Sequence, residues 1–159
     1  MTNILPITSI LETPERHEAF VTSVIRASED HIHSLDAVRG FLIRNAYAVI
    51  RAVRPGYVHF LVQVLSRDYI AEFGPMHEAF RKSQELPSAE PKPFLSYVSA
   101  HRAEADAIFW KVADAYAVKY KRSIVTTTYR AMRSSIQAHL SIVFQIICAE
   151  IDRSTFVEA

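Results

Sequence analysis

Arg39, Arg44, Arg51, Arg54 and Arg67 fall within residues 37–67, and Lys119, Lys121, Arg122, Arg130 and Arg133 within 115–149; neither stretch contains a carboxylate. These are ten of the eighteen basic residues, yet the formal net charge is only +1, because seventeen acidic residues lie in the segments before, between and after them. A polyanion responds to the local field of a face rather than to total charge, so cations gathered without anions suit a phosphate backbone. The same side chains can instead form a solvated face, their stems laid over apolar surface. A random surface mixes signs, however, and repulsion within an acid-free stretch destabilises a fold unless an anion or another subunit's carboxylates sit opposite. The phosphate reading is favoured on that ground. The cations carry no accompanying aromatic or Asn/Gln pattern for reading bases, so such contacts would tolerate any sequence.

Other chemistry is sparse. Of the seven histidines, His31 and His33 are two apart and point different ways on a helix. His101 and Asp106 have a spacing seen in di-iron bundles, without the His-x-x-x-His or Glu-x-x-His partner that such a site needs. Arg133 and His139 are separated by five residues, a spacing that resembles the active motif of helical HEPN-type ribonucleases, although a plain Ser134 follows the arginine. Cys148 lies in an apolar run, where a thiol is buried and inert. No Gly-rich phosphate loop is present among only three glycines. The chain is therefore expected not to be an enzyme and to hold no cofactor or metal.

The elements that must carry these residues are helical. Thr13 caps, and Pro14 opens, a helix over 14–31; Ser34 is placed to cap a second over 35–53, which Pro55 ends. That second helix is apolar almost all round and needs neighbours on several sides. The content of residues 57–65 allows a strand, and periodicity allows a helix equally. Gly74–Pro75 is expected to open a short helix over 76–84, followed by a Pro-rich loop over 86–93 and a long helix over 94–122. The β-branched 124–128 would break it, and a last helix over 129–152 carries Met132, Ile136, Leu140, Val143, Ile147 and Ile151 on one stripe. A single all-α domain over 1–159 results, a four- to five-helix bundle with room for one short strand pair. The N-terminal residues lack a signal-peptide pattern, and the most apolar run, 140–151, is shorter than a bilayer span, so a cytoplasmic protein with no membrane association is expected.

Three short runs resemble the coat proteins of rod-shaped, tobamovirus-like plant viruses. Ala37-Val-Arg-Gly-Phe-Leu-Ile-Arg-Asn, leading to Arg54–Pro55 and Val58-His-Phe60, is similar to that family's second helix with its arginines five apart. Ala131-Met-Arg-Ser-Ser-Ile-Gln resembles the start of the family's last long helix, and Ile151-Asp-Arg-Ser-Thr-Phe156 its run near the C-terminus, departing from it at Val157. The resemblance implies a four-helix subunit stacked into a helical tube, a virion or host-cytoplasmic location, and single-stranded RNA wound between turns. It implies nucleic-acid contacts from Arg39, Arg44, Arg81 and Lys82, with Lys121, Arg122, Arg130 and Arg133 extending the basic face, and convergence of Arg39, Arg81 and Arg122 on one groove. Self-association through the apolar faces of 36–53 and 129–151 goes with it. The competing readings are a helical partner- or ligand-binding module of sensory or adaptor type and, behind it, a HEPN-like ribonuclease.

Overall fold

The structure is a computed structural model that describes residues 3–53, 56–86, 90–120 and 123–157, with the backbone alone for 37–39, 42 and 53. Its elements in chain order are β1 (Asn3–Ile4), a 3-10 turn (Ile7–Leu11), α1 (Pro14–Ser34), α2 (Ala37–Val53), α3 (Tyr57–Gln84), α4 (Phe94–Ala100), α5 (Arg102–Lys119), α6 (Ile124–Thr155) and β2 (Phe156–Val157). The all-α expectation holds. So does the single strand pair, although it joins the two ends of the chain: β1 and β2 are antiparallel, with Asn3 opposite Val157 and Ile4 opposite Phe156.

Local chemistry explains most element boundaries. Thr13 caps α1, its hydroxyl accepting from the Arg16 N–H at 3.2 Å, with Pro14 at the first helical position. Ser34 does not cap the next helix. It closes α1 instead, its hydroxyl donating to the His31 carbonyl at 2.7 Å, and α2 starts later, with the Gly40 N–H bonded to Asp36 O. Gly40 is there for space: a Cβ would come within 2.7 Å of the Leu35 Cβ. Gly56, at φ 76°, takes the left-handed conformation that starts α3 and that other residues rarely adopt.

Residues 57–65, open to strand or helix from the sequence, are helix, the first third of α3. Three further expectations are corrected. Gly74–Pro75 starts nothing, because α3 runs through it. Proline in a helix interior costs on the order of 3 kcal/mol, but here Ile70, Phe73, Met76, His77 and Phe80 bury one continuous face on both sides of Pro75, and that burial outweighs the lost hydrogen bond. The long helix over 94–122 is two helices, α4 and α5, meeting at His101 (φ −116°, ψ 36°), whose N–H reaches both the Tyr97 and Val98 carbonyls. The β-branched run after Ser123 is the first turn of α6 rather than a break, because the Ser123 hydroxyl caps it by accepting from the Thr126 N–H at 3.0 Å. The bundle thus has six α-helices among the described residues.

Helix α6 is the axis, packed against α1, α2, α4, α5 and the 3-10 turn. It is long and apolar enough to cross a membrane, by length and composition. It runs antiparallel to α1: at one end of the pair the Arg16 guanidinium on α1 donates to the Ser154 carbonyl on α6 at 3.2 Å. The close-packed core lies at that end. Phe20, Phe73, Phe80, Phe94, Phe109, Leu140, Phe144, Cys148 and Ile151 fill it, with edge-on ring pairs Phe73–Phe144 and Phe109–Phe144. The buried His17–Ser66 pair, 2.7 Å apart, joins α1 to α3.

Candidate functional site

Toward the other end the helices do not close on one another. The C-terminal half of α1, the inner face of α2, the start of α3, the end of α5 and much of α6 line a partly open chamber of about 370 Å³. Its size falls within the roughly 300–1,000 Å³ typical of small-molecule sites. The walls are aliphatic: Val24, Ile32 and Leu35 from α1, Ile43 and Ile50 from α2, Leu61 and Leu65 from α3, with Met132, Ile136, Val143 and Ile147 from α6. Each of α1, α3 and α6 therefore gives one portion of its length to the core and another to the chamber.

The polar groups of the wall are mostly turned to partners. The Tyr47 hydroxyl donates to Glu29, and burial together with that carboxylate pushes it up to about 12. The Tyr116 hydroxyl lies 3.4 Å from that of Tyr57, and Tyr129 donates to Asp114 Oδ1 at 2.5 Å; burial raises both above the ordinary phenol value. Thr126 donates to the Tyr120 carbonyl at 2.7 Å. These rings present faces and edges to the chamber while their hydroxyls are occupied. Two imidazoles differ. His31 Nε2 is buried with no partner. His139 has its Nδ1 2.8 Å from the Ser135 carbonyl; a carbonyl only accepts, so Nδ1 carries the proton and Nε2 of the neutral ring is an acceptor.

The acid-free stretches acquire a second meaning here. Apart from the α1 residues and Ala113, every residue lining the chamber falls in 37–67 or 115–149. Carboxylates are missing where helices face an apolar interior, as burying an unpaired charge there is costly. One cation of these stretches, Arg133, finds its anion on a neighbouring helix. Arg133 forks onto Asp114, Nε to Oδ1 at 3.2 Å and Nη2 to Oδ2 at 3.0 Å, and lies 4.1 Å over the Trp110 ring. The Arg133 hydrogen bond holds the Asp114 carboxyl below the usual range.

The residues nominated for phosphate contact are dispersed. Arg44 donates to the Leu35 and Asp36 carbonyls at 2.7 and 3.2 Å, tying the α1–α2 turn. Arg81 donates to the Ile4 carbonyl at 2.7 Å and to Glu78 at 2.6 Å, at the strand-pair end. Lys82 and Arg130 are exposed. The Arg39 side chain, Lys121, Arg122 and the Arg54–Pro55 turn lie outside the described residues. Arg81 is anchored beside the end of α6, whereas Arg133 lies twenty-two residues back from Thr155 along it, about 33 Å at 1.5 Å per residue. Within one subunit these two do not face one groove.

The other nominated groups are likewise apart. Arg133 turns to α5 while His139 faces the chamber, so the HEPN-like pair forms no shared site. His101 stacks on Tyr97, ring centroids 4.2 Å apart, whereas Asp106 takes Arg102 Nε at 2.6 Å. Among the described residues no three His, Cys, Asp or Glu side chains group closely enough to hold a metal ion. Cys148 is buried, and burial pushes its thiol up to about 12, which leaves no thiolate for nucleophilic work near neutrality. Sequence reasoning missed the chamber, and missed His31 and His139 as its polar points. The available signal was their place on apolar helical faces: Val24, Ser28, His31, Ile32 and Leu35 follow helical spacing, as do Met132, Ile136, His139 and Val143.

Fold and chamber together define a helical bundle with an internal apolar site. The chain belongs to a family of unknown function, DUF6918, whose model matches residues 7–154, a span that contains every residue lining the chamber. Comparison with curated proteins and with solved structures found no match.

Proposed function

We propose that the protein is a helical binding module whose chamber takes a small, largely apolar ligand. One observation carries the reading: five helices contribute to a chamber of about 370 Å³ whose walls are aliphatic and whose tyrosine hydroxyls are engaged elsewhere. An apolar concavity of this extent that stays partly open to water favours an apolar occupant, which removes that surface from water.

A neutral naphthylamine dye, whose fluorescence rises in apolar surroundings, tests this on the full chain. Saturable one-to-one binding is expected, displaced by long-chain alkyl compounds. Ala46→Phe, which puts a ring into the chamber from α2, is expected to weaken binding about tenfold or more. Absence of saturable binding, or an Ala46→Phe variant that binds as the original does, overturns the reading.

Assembly on RNA as a coat protein is the second reading. What favours it is an outward apolar stripe on α2, with Phe41 60% and Val49 40% exposed, which suits contact between copies. Arg44, Arg81 and Arg133 count against it, since each already donates to carbonyls or carboxylates of the same chain. Electron microscopy of the protein with single-stranded RNA at mildly acidic pH separates the two. Rods or stacked discs would establish the coat reading; small particles of constant size favour the module.

A further inference from the structure

The chamber is not uniformly apolar. Two imidazoles, those of His31 and His139, are among its lining residues. Arg16 on α1 and Ser154 on α6 are in contact, and the two helices run antiparallel from there. Fifteen residues on along α1 is His31, and fifteen back along α6 is His139. Both helices rise about 1.5 Å per residue, so the two backbone positions come to about the same height, and both side chains line the chamber there. The lining residues Val24 with Ile146, and Ser28 with Ile142, match by the same rule.

Building on the chamber reading, we propose that its ligand is a long-chain carboxylic acid, with the alkyl chain along the aliphatic walls and the carboxyl group held between His31 and His139. The donor and acceptor arithmetic leads to that head group. His139 Nε2 in the neutral ring accepts, because its Nδ1–H is committed to the Ser135 carbonyl. It takes the acid O–H. His31 Nε2, buried and unpartnered, donates its N–H to the remaining carboxyl oxygen when the ring is in the Nε2–H tautomer. Transfer of the acid proton to His139 gives an imidazolium–carboxylate pair with the same contacts, so either proton arrangement satisfies both rings. An ester keeps the chain but has no O–H and no charge. A hydrocarbon leaves the buried His31 Nε2 unsatisfied, which is the costly case.

The probes are hexadecanoic acid and its methyl ester, each displacing the naphthylamine dye from the full chain. The acid is expected to bind about tenfold or more tightly than the ester at neutral pH. The ratio of the two affinities, taken within each variant, cancels any general change in the chamber. That ratio should fall toward one in His139→Leu and in His31→Leu, and recover in part in His139→Gln, whose side-chain oxygen can again accept. Equal binding of acid and ester by the unsubstituted protein overturns the head-group assignment and leaves the chamber reading standing. A preference that persists in the His31→Leu/His139→Leu double variant also overturns it. If neither compound displaces the dye, or no dye binds, the chamber reading falls and the head group with it.

Discussion

Both ring nitrogens of His77 are buried without a hydrogen-bond partner, against the Phe80 and Phe94 rings at 5.7 and 4.9 Å between centroids. Burial, assisted by Arg81, pushes its pKa down to about 4. The unfolded chain, with an ordinary imidazole near 6.5, takes up a proton first, so His77 costs stability as pH falls from about 6.5 to about 4, by at most about 1.4 kcal/mol per pH unit. Asp152 acts in the opposite sense. Its carboxylate accepts the Phe94 N–H at 3.1 and 3.2 Å, yet burial holds it up at about 6 against an ordinary 3.8. Below pH 6 the folded form protonates more readily, which favours folding on acidification. His77→Leu, similar in volume and without the orphaned nitrogens, should therefore unfold at higher denaturant than the original at acidic pH. Its loss of stability between pH 6 and pH 4 should be smaller than the original's, with buried His17, also held below its ordinary value by burial, still contributing; a chemical-denaturation series across pH decides it, and an unchanged acid limb would remove His77 as a cause.

At the scale of elements, α3 shows most clearly a local signal overruled. Pro75 is exposed and removes one hydrogen bond from the middle of a 28-residue helix. Pro75→Ala should restore that bond at the loss of some rigidity in the unfolded chain. We expect a gain of roughly 2 kcal/mol in denaturant unfolding, the difference between an interior proline's cost of about 3 kcal/mol and about 1 kcal/mol of unfolded-state entropy. Destabilisation would mean that the helix needs the bend which proline supports. Between α5 and α6 the clamp of Asp114, Tyr129 and Arg133 sits beside Trp110, whose Nε1–H donates to Gln137 at 2.6 Å. The arginine that suggested phosphate contact here joins two helices.

For the molecule as a whole, self-association had two candidate faces, and the structure treats them differently. The stripe on 129–151 turns inward, to core and chamber, and the outward side of α6 carries Arg130, Ser134, Gln137, Ser141 and Gln145, which give it a hydrophilic face. On α2 the outward side is Phe41, Asn45, Ala48, Val49 and Ala52, all exposed. We therefore expect sedimentation to show a dimer or larger species held through α2, and Phe41→Glu to return it to a monomer. A monomeric unsubstituted protein at high concentration would show that the stripe is merely tolerated.

Helical class, the Thr13 start of α1, the buried thiol of Cys148 and the stripe on α6 follow from local rules: capping chemistry, and apolar residues recurring at helical spacing. Those rules act within one turn or one helix, so a single chain segment contains the information. Whether 57–65 became strand or helix, whether Pro75 ended α3, and where Arg133 found its anion depended on residues far away in sequence, since burial energy against distant neighbours exceeds the local preference. The acid-free stretches were plain in the sequence; their meaning was not, because an absence of carboxylates suits a phosphate groove and an apolar wall equally. What only the tertiary structure decided is where distant residues meet: Asp114 stands opposite Arg133, and His31 and His139 line one chamber from positions more than a hundred residues apart.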